Sequence, residues 1–181
     1  MAEHMEHIKT NVLRMSKTVF FKEMLKLYGA PWILVFLLIL ITAAVLSVIH
    51  DLRWIIVALM IVCITAPMML AFFYIFHGMK PLTVINSLPH TLSFEDDGIT
   101  ATLLSQHKNE ETNETEYTEL SRRFLPYSEI RSYKSGVTSI ILPFEKGDKG
   151  FIWLPVSAFD EENGLLDAMN KVISAIRNNK L

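Results

Sequence analysis

The sequence predicts a membrane-anchored α+β protein: an N-terminal transmembrane helical hairpin, then an antiparallel β-sheet or barrel with a C-terminal capping helix. Three observations carry that expectation. Two uncharged apolar runs, residues 32–49 and 54–76, are 18 and 23 residues long. Only residues 50–53 separate them. Beyond Gly78 the texture changes, with short β-prone runs between turns and an amphipathic segment near the end.

Composition agrees. Of 181 residues, 51% are hydrophobic and 20% charged, and mean hydropathy is +0.31. The apolar excess lies in residues 32–76, where Asp51 and Arg53 are the only charged side chains. A net charge of −2 gives no electrostatic footprint for nucleic acid, which is excluded as an expected partner. The single cysteine, Cys63, lies in an apolar run; one thiol forms neither an internal disulfide nor a cysteine-based zinc site.

At ~1.5 Å per residue the two runs span about 27 and 35 Å, against a hydrocarbon core of ~30 Å. Both are apolar on every face, which suits lipid better than the half-buried surface of a soluble domain. A signal peptide fits poorly, because the first run starts some thirty residues in and a second follows at once. Arg14, Lys17, Lys22, Lys26 and Lys80 flank the outer ends of the runs, and Arg53 alone occupies the turn. That asymmetry places both termini in the cytoplasm of a two-span cell-membrane protein. Tyr28, Trp32, Tyr74 and Phe76 suit one interface and Trp54 the other. Ala43 and Ser47 form a small-xxx-small pair for close helix packing. Pro67 leaves the Cys63 carbonyl without its usual donor and marks a helix kink. Neither run carries an acid, base or amide side chain, so no ion path is expected through this hairpin.

Residues 1–31 read either as one helix or as a strand over residues 7–14 followed by a helix. Ser16 is a good N-cap, so the second reading is preferred, with the helix running through Tyr28 into the first span. His4 and His7, beside Glu3 and Glu6, invite a metal reading. On a strand their odd spacing puts them on opposite faces and no third ligand is evident, so no metal is expected.

In residues 78–181 the expected strands are 90–94, 99–104, 117–124, 130–134, 139–143 and 150–154. Asp97-Gly98 supplies the first tight turn, residues 107–116 a polar loop, and Gly147 the last turn. A helix over residues 162–178 places Leu165, Leu166, Met169, Val172, Ile173 and Ile176 on one side, with Arg177 and Lys180 near its negative end. Asn113-Glu114-Thr115 matches a glycosylation sequon, but a cytoplasmic loop does not meet that machinery.

A curled sheet of six or seven strands closed by a C-terminal helix is the layout of pleckstrin-homology-like (PH-like) domains. With two membrane helices before it, the chain resembles the YcxB-like family of bacterial membrane proteins. The resemblance rests on residues 94–99 (FEDDGI), 125–130 (LPYSEI) and 154–159 (LPVSAF). The family usually carries tryptophan after the proline of the second segment; this chain has Tyr127. It implies an N-terminal cytoplasmic strand and helix (1–31), a transmembrane hairpin (32–77) and a cytoplasmic PH-like domain (78–181), with no settled biochemical activity. The segments also have local explanations. Pro126 and Ser128 suit a turn aiming Tyr127 and Ile130 into the core, and Ser157 with Asp160 resembles a capping box for a helical turn.

No glycine-rich phosphate loop, metalloprotease helix or serine elbow is present. Ser105 and Lys108 have a catalytic spacing but fall in the polar loop region, and Glu95, Asp96 and Asp97 read as solvated acids at a hairpin tip. No enzymatic activity and no cofactor are expected. Arg122, Arg123, Arg131 and Lys134 are the candidate lipid or partner contacts, each worth roughly 1 kcal/mol near an anionic surface. Against them, residues 78–181 hold 11 basic and 15 acidic side chains, or −4, which disfavours anionic lipid. The expected function is a non-enzymatic, membrane-anchored interaction or regulatory module; the alternative is an accessory subunit of a transport or envelope-processing complex. Expected partners are the lipid bilayer and a protein, a second copy of the chain included.

The charge asymmetry yields a topology test. A cysteine replacing Asp51 should react with an impermeant thiol reagent in sealed cells, while tags at either terminus resist external protease. Arginines at positions 50, 51 and 52 should give inverted or mixed insertion. Cleavage of the C-terminal tag from outside, with the turn unlabelled, would reverse the orientation.

Overall fold

The chain leaves one folding unit after Ser16 and rejoins it at Pro81: Met1–Ser16 and Pro81–Leu181 form one compact unit, Lys17–Lys80 another. The computed structural model describes residues 8–49, 53–108, 115–130, 132–144, 149–160 and 163–178.

In the helical unit α1 (Lys17–Tyr28) starts directly after Ser16, the expected cap. The Gly29 N–H donates to the Leu25 carbonyl at 2.6 Å and the Ile33 N–H to the Gly29 carbonyl at 2.9 Å. The chain thus passes almost without a break into α2 (Ala30–Ile49), as the cap-to-span reading expects. The second apolar helix, α3 (Arg53–Phe73), contains Pro67 and continues through it. A π-helical turn, Tyr74–Gly78, follows. Both helices are long and apolar enough to cross a membrane, over Ala30–Ile49 and Arg53–Gly78, and the chain leaves their apolar surfaces almost wholly uncovered. At Gly78 a β-carbon would lie 2.9 Å from the Tyr74 ring and 3.3 Å from the Met24 sulfur, so the missing side chain lets α1 approach the turn.

The other unit combines helices with two open antiparallel sheets. The first has the order β1-β2-β3-β4, comprising β1 (Ile8–Lys9), β2 (His90–Phe94), β3 (Gly98–Lys108) and β4 (Thr115–Pro126). The second has the order β5-β6-β7, comprising β5 (Lys134–Ser135), β6 (Ser139–Phe144) and β7 (Gly150–Pro155). An isolated bridge pairs Ile130, which lies between the two sheets in sequence, with Phe144 of β6. The short helix α4 (Pro81–Ile85) precedes β2, and α5 (Gly164–Asn178) ends the described chain. Leu92, Phe94, Ile99, Leu125, Leu142, Ile152 and Leu154 fill the core between the sheets, and Ala168, Met169, Val172 and Ile176 of α5 close over it.

Several boundaries differ from expectation for identifiable reasons. The N-terminal strand is shorter than residues 7–14: the Thr10 N–H still donates to the Leu92 carbonyl at 2.8 Å, but the Leu92 N–H donates to the Thr10 hydroxyl at 2.9 Å in place of a backbone carbonyl. The chain then touches the sheet again only at the Leu13–His90 bridge. The expected strand at 130–134 is reduced to that single bridge plus β5, since the Ile130 N–H closes the 3-10 turn Tyr127–Glu129 by donating to the Tyr127 carbonyl at 3.0 Å. Strands β3 and β4 are longer than expected and reach into the predicted polar loop, where polar side chains are tolerated because they are exposed. Leu166 is 61% exposed. The buried stripe of α5 runs Met169, Val172, Ile176, with Ala168 in the place expected for Leu166. The expected helical turn at Ser157 is present as Val156–Ala158.

The glycine of the Asp97-Gly98 turn is required by space, not by dihedral angle. A β-carbon there would lie 2.5 Å from the Leu125 carbonyl and 2.7 Å from the Phe124 ring, which covers it from β4. Gly150 needs both, having φ +145° and the Thr83 backbone nitrogen 2.8 Å from where a β-carbon would sit.

Asn86, fully buried just after α4, ties three segments together. Its amide donates to the Phe151 carbonyl at 2.7 Å, its side-chain oxygen accepts the Trp153 N–H at 2.9 Å, and its own carbonyl accepts the Met15 N–H at 2.8 Å. Asn86→Ala would strand a carbonyl and an N–H of β7 away from water, which costs roughly 2–5 kcal/mol. Urea unfolding of the full chain in detergent, followed by tryptophan fluorescence, should show that loss. Asn86→Asp should be at least as damaging, because it removes the donor and buries a charge against carbonyl oxygens.

Candidate functional site

An open groove of about 470 Å³ lies between α4 and the first sheet. Pro81, Val84, Ile85 and Leu88 form one wall, and Leu103, Ser121, Arg122 and Arg123 the other. Register explains the second wall. Ile99, Ala101 and Leu103 of β3 oppose Leu125, Arg123 and Ser121 of β4, so these six share the core face of the sheet. Leu125 is covered, whereas Arg123 and Ser121 lie beyond the reach of the core and stay exposed. The groove therefore has apolar walls, a cationic rim and one hydroxyl, and among the described residues no carboxylate or imidazole lines it. That set of groups can hold an apolar segment and an anionic or carbonyl group beside it. It offers no base to activate Ser121.

Of the four basic candidates, Arg122 and Arg123 both border this groove, Arg123 from the groove's own face of the sheet and Arg122, opposite Thr102, from the other face. Lys134 lies on β5 in the other sheet, exposed, and Arg131 lies outside the described residues. Arg122 is engaged: its Nη2 donates to Glu119 Oε2 at 2.7 Å and its Nε lies 2.5 Å from Glu119 Oε1. Three residues apart on a regular strand, these side chains would point to opposite faces. The bulge makes the pair. Leu103 opposes Ser121 while Leu104 opposes Glu119, so Leu120 is an extra residue and brings Glu119 onto the face of Arg122. The paired hydrogen bond holds the Glu119 carboxyl below its ordinary range and raises the guanidinium.

Asp96 and Asp97 of the acidic tip are exposed, as solvated acids, while Glu95 is half-buried, and two of the three have side-chain partners. Glu95 accepts the Thr100 hydroxyl at 2.6 Å, and Asp96 pairs with Lys171 of α5 at 3.0 Å. The Tyr127 hydroxyl donates to the Glu95 carbonyl at 2.9 Å; burial, with Asp96 and Glu95 adding to it, raises its pKa and keeps it a donor. Tyr127 and Ile130 are both buried, as the LPYSEI turn predicts.

In the helical unit Ala43 is buried and lines a cleft between α2 and α3 with Leu46, Trp54 and Val57. Ser47 returns its hydroxyl to the Ala44 carbonyl at 2.7 Å. Near the end of the second apolar helix the Tyr28 and His77 rings stack at 4.4 Å, and the Lys80 ammonium lies 4.7 Å from the Tyr28 ring centre.

Sequence reasoning missed α4, because five residues give no helical period to read, and with it one groove wall. It also passed over His90, a fully buried residue on β2. His90 Nδ1 lies 2.9 Å from the Leu88 carbonyl, which can only accept, so Nδ1 carries the proton. Its Nε2 is buried and has no partner among the described residues. Compared with protein-family models, curated proteins and solved structures, the chain matches none.

Burial lowers the His90 pKa from the ordinary 6.5, and the bond to Leu88 offsets this only partly. Below that ordinary value the unfolded chain binds a proton that the folded one does not. Stability contributed by neutral His90 is therefore present above pH 6.5 and falls as the pH drops, by at most ~1.4 kcal/mol per pH unit, until the folded ring itself titrates. Thermal melts of the full chain from pH 7.5 to 5.5 should show this slope. His90→Asn, whose amide keeps the bond to Leu88 but cannot be protonated, should flatten it.

Proposed function

We propose that the protein is a non-enzymatic, membrane-anchored interaction module. The hairpin crosses the bilayer twice, and the α+β unit presents its groove to a protein partner in the cytoplasm. The observation that carries this reading is the insertion of the apolar hairpin within the fold of the other unit. Residues 16 and 81 belong to the same unit, so both ends of the hairpin return to one side of any membrane it enters. Two crossings satisfy that requirement and one does not. The uncovered apolar surface of α2 and α3 supports the same reading, since water would not tolerate it. The Tyr28–His77–Lys80 stack suits a membrane interface, where aromatic and cationic groups anchor helix ends. The excess of flanking Lys and Arg outside the turn assigns that side to the cytoplasm.

Two open antiparallel sheets of four and three strands, followed by a C-terminal helix packed on the core, support a PH-like reading of this unit. The groove favours a protein ligand over an anionic head group. Arg122 is already neutralised by Glu119, and the surrounding residues 78–181 carry −4.

A photo-crosslinking amino acid at Val84, in native membranes, should give a discrete adduct with another protein. The same group at Val137, 98% exposed in the turn between β5 and β6, should not. Equal labelling from both positions, or lipid adducts alone from Val84, would defeat the reading.

A further inference from the structure

We infer that β4 pairs antiparallel with β4 of a second copy, so that the protein is a two-fold dimer built on this edge. Among the described residues β4 is bonded to β3 alone, and every residue from Thr115 to Phe124 is exposed. A long strand with one open edge offers a row of backbone donors and acceptors, which proteins ordinarily cover or protect. Here the edge also carries exposed apolar side chains, with Leu120 67% and Phe124 50% accessible.

The occupant follows from the order of side chains. In the register with β3, Tyr117, Glu119, Arg122 and Phe124 oppose Gln106, Leu104, Thr102 and Thr100, so all four lie on one face. A two-fold axis perpendicular to a sheet requires each residue to oppose one from the same face of the partner strand. With the axis at Ser121 and the bulged Leu120 left out of the count on both strands, Glu119 meets the partner's Arg122 and Tyr117 meets the partner's Phe124, each pair occurring twice. Opposite charges and aromatic rings directly across an antiparallel pair are the favourable combinations. Each Glu119 carboxylate then lies near its own Arg122 and its partner's. This inference needs only the α+β unit and stands apart from the membrane reading.

The test uses the full chain in detergent, with Cys63→Ala as background. Ser121→Cys should form a disulfide-linked dimer on mild oxidation, because only residues at the axis face their own copy. Thr118→Cys, four strand positions (~13 Å) from its copy by strand rise, should not. By sedimentation the parent should be dimeric. Glu119→Arg and Arg122→Glu should each weaken the dimer at least tenfold by setting like charges opposite one another, and the double exchange should restore it. A monomeric parent, or a dimer insensitive to both exchanges with Ser121→Cys uncrosslinked, would overturn the pairing. Circular dichroism of each variant identifies any that failed to fold, and the double exchange keeps the test decisive in that event.

Discussion

Asn86 is the point on which the α+β unit depends. The chain leaves this unit at Ser16 and re-enters it at Pro81, and both crossings must be held next to one another for one sheet to contain β1 and β2. Asn86 does this with its backbone and its side chain together. The carbonyl holds Met15 at the exit, while the amide locks the end of α4 to Phe151 and Trp153 of β7. Closing a loop of 64 residues, Lys17–Lys80, costs entropy that grows only slowly with length. A few buried hydrogen bonds with no water to compete for them can offset that cost. The neighbouring bonds of Leu13 to His90 and Thr10 to Leu92 extend the same seam.

That seam also explains where the open surfaces fall. Core packing is concentrated where β2, β3, β6 and β7 face α5, and it thins toward β4. The core face of β4 therefore loses its cover after Leu125, which opens the groove, and its edge has no neighbour among the described residues. Groove and edge both belong to β4, the outer strand of the first sheet, which has β3 on one side and no neighbour on the other among the described residues. The residues carrying the proposals are those this strand leaves in water.

Electrostatics separate partner from lipid. Isolated in the sequence, Arg122 and Arg123 read as head-group contacts. The bulge at Leu120 brings Glu119 beside Arg122 and cancels much of that attraction. A guanidinium already paired with a carboxylate draws phosphate less strongly than a free one, which is why the proposal names a protein partner.

From the sequence alone came the long apolar hairpin, the α+β class of the remainder, the Asp97-Gly98 turn, the buried Tyr127 and Ile130, and the stripe of α5 apart from Leu166. All of these are local, resting on run length, turn chemistry or the 3.6-residue period, which neighbouring residues determine together. The tertiary structure decided the rest. That residues 1–16 belong with 81–181, that Asn86 clamps them, that His90 is buried with Nε2 unpartnered among the described residues, and that a bulge pairs Glu119 with Arg122 all depend on contacts between distant segments. No residue type announces such contacts, because an asparagine in a short polar stretch has the same local signature whether it lies in water or at the centre of a fold.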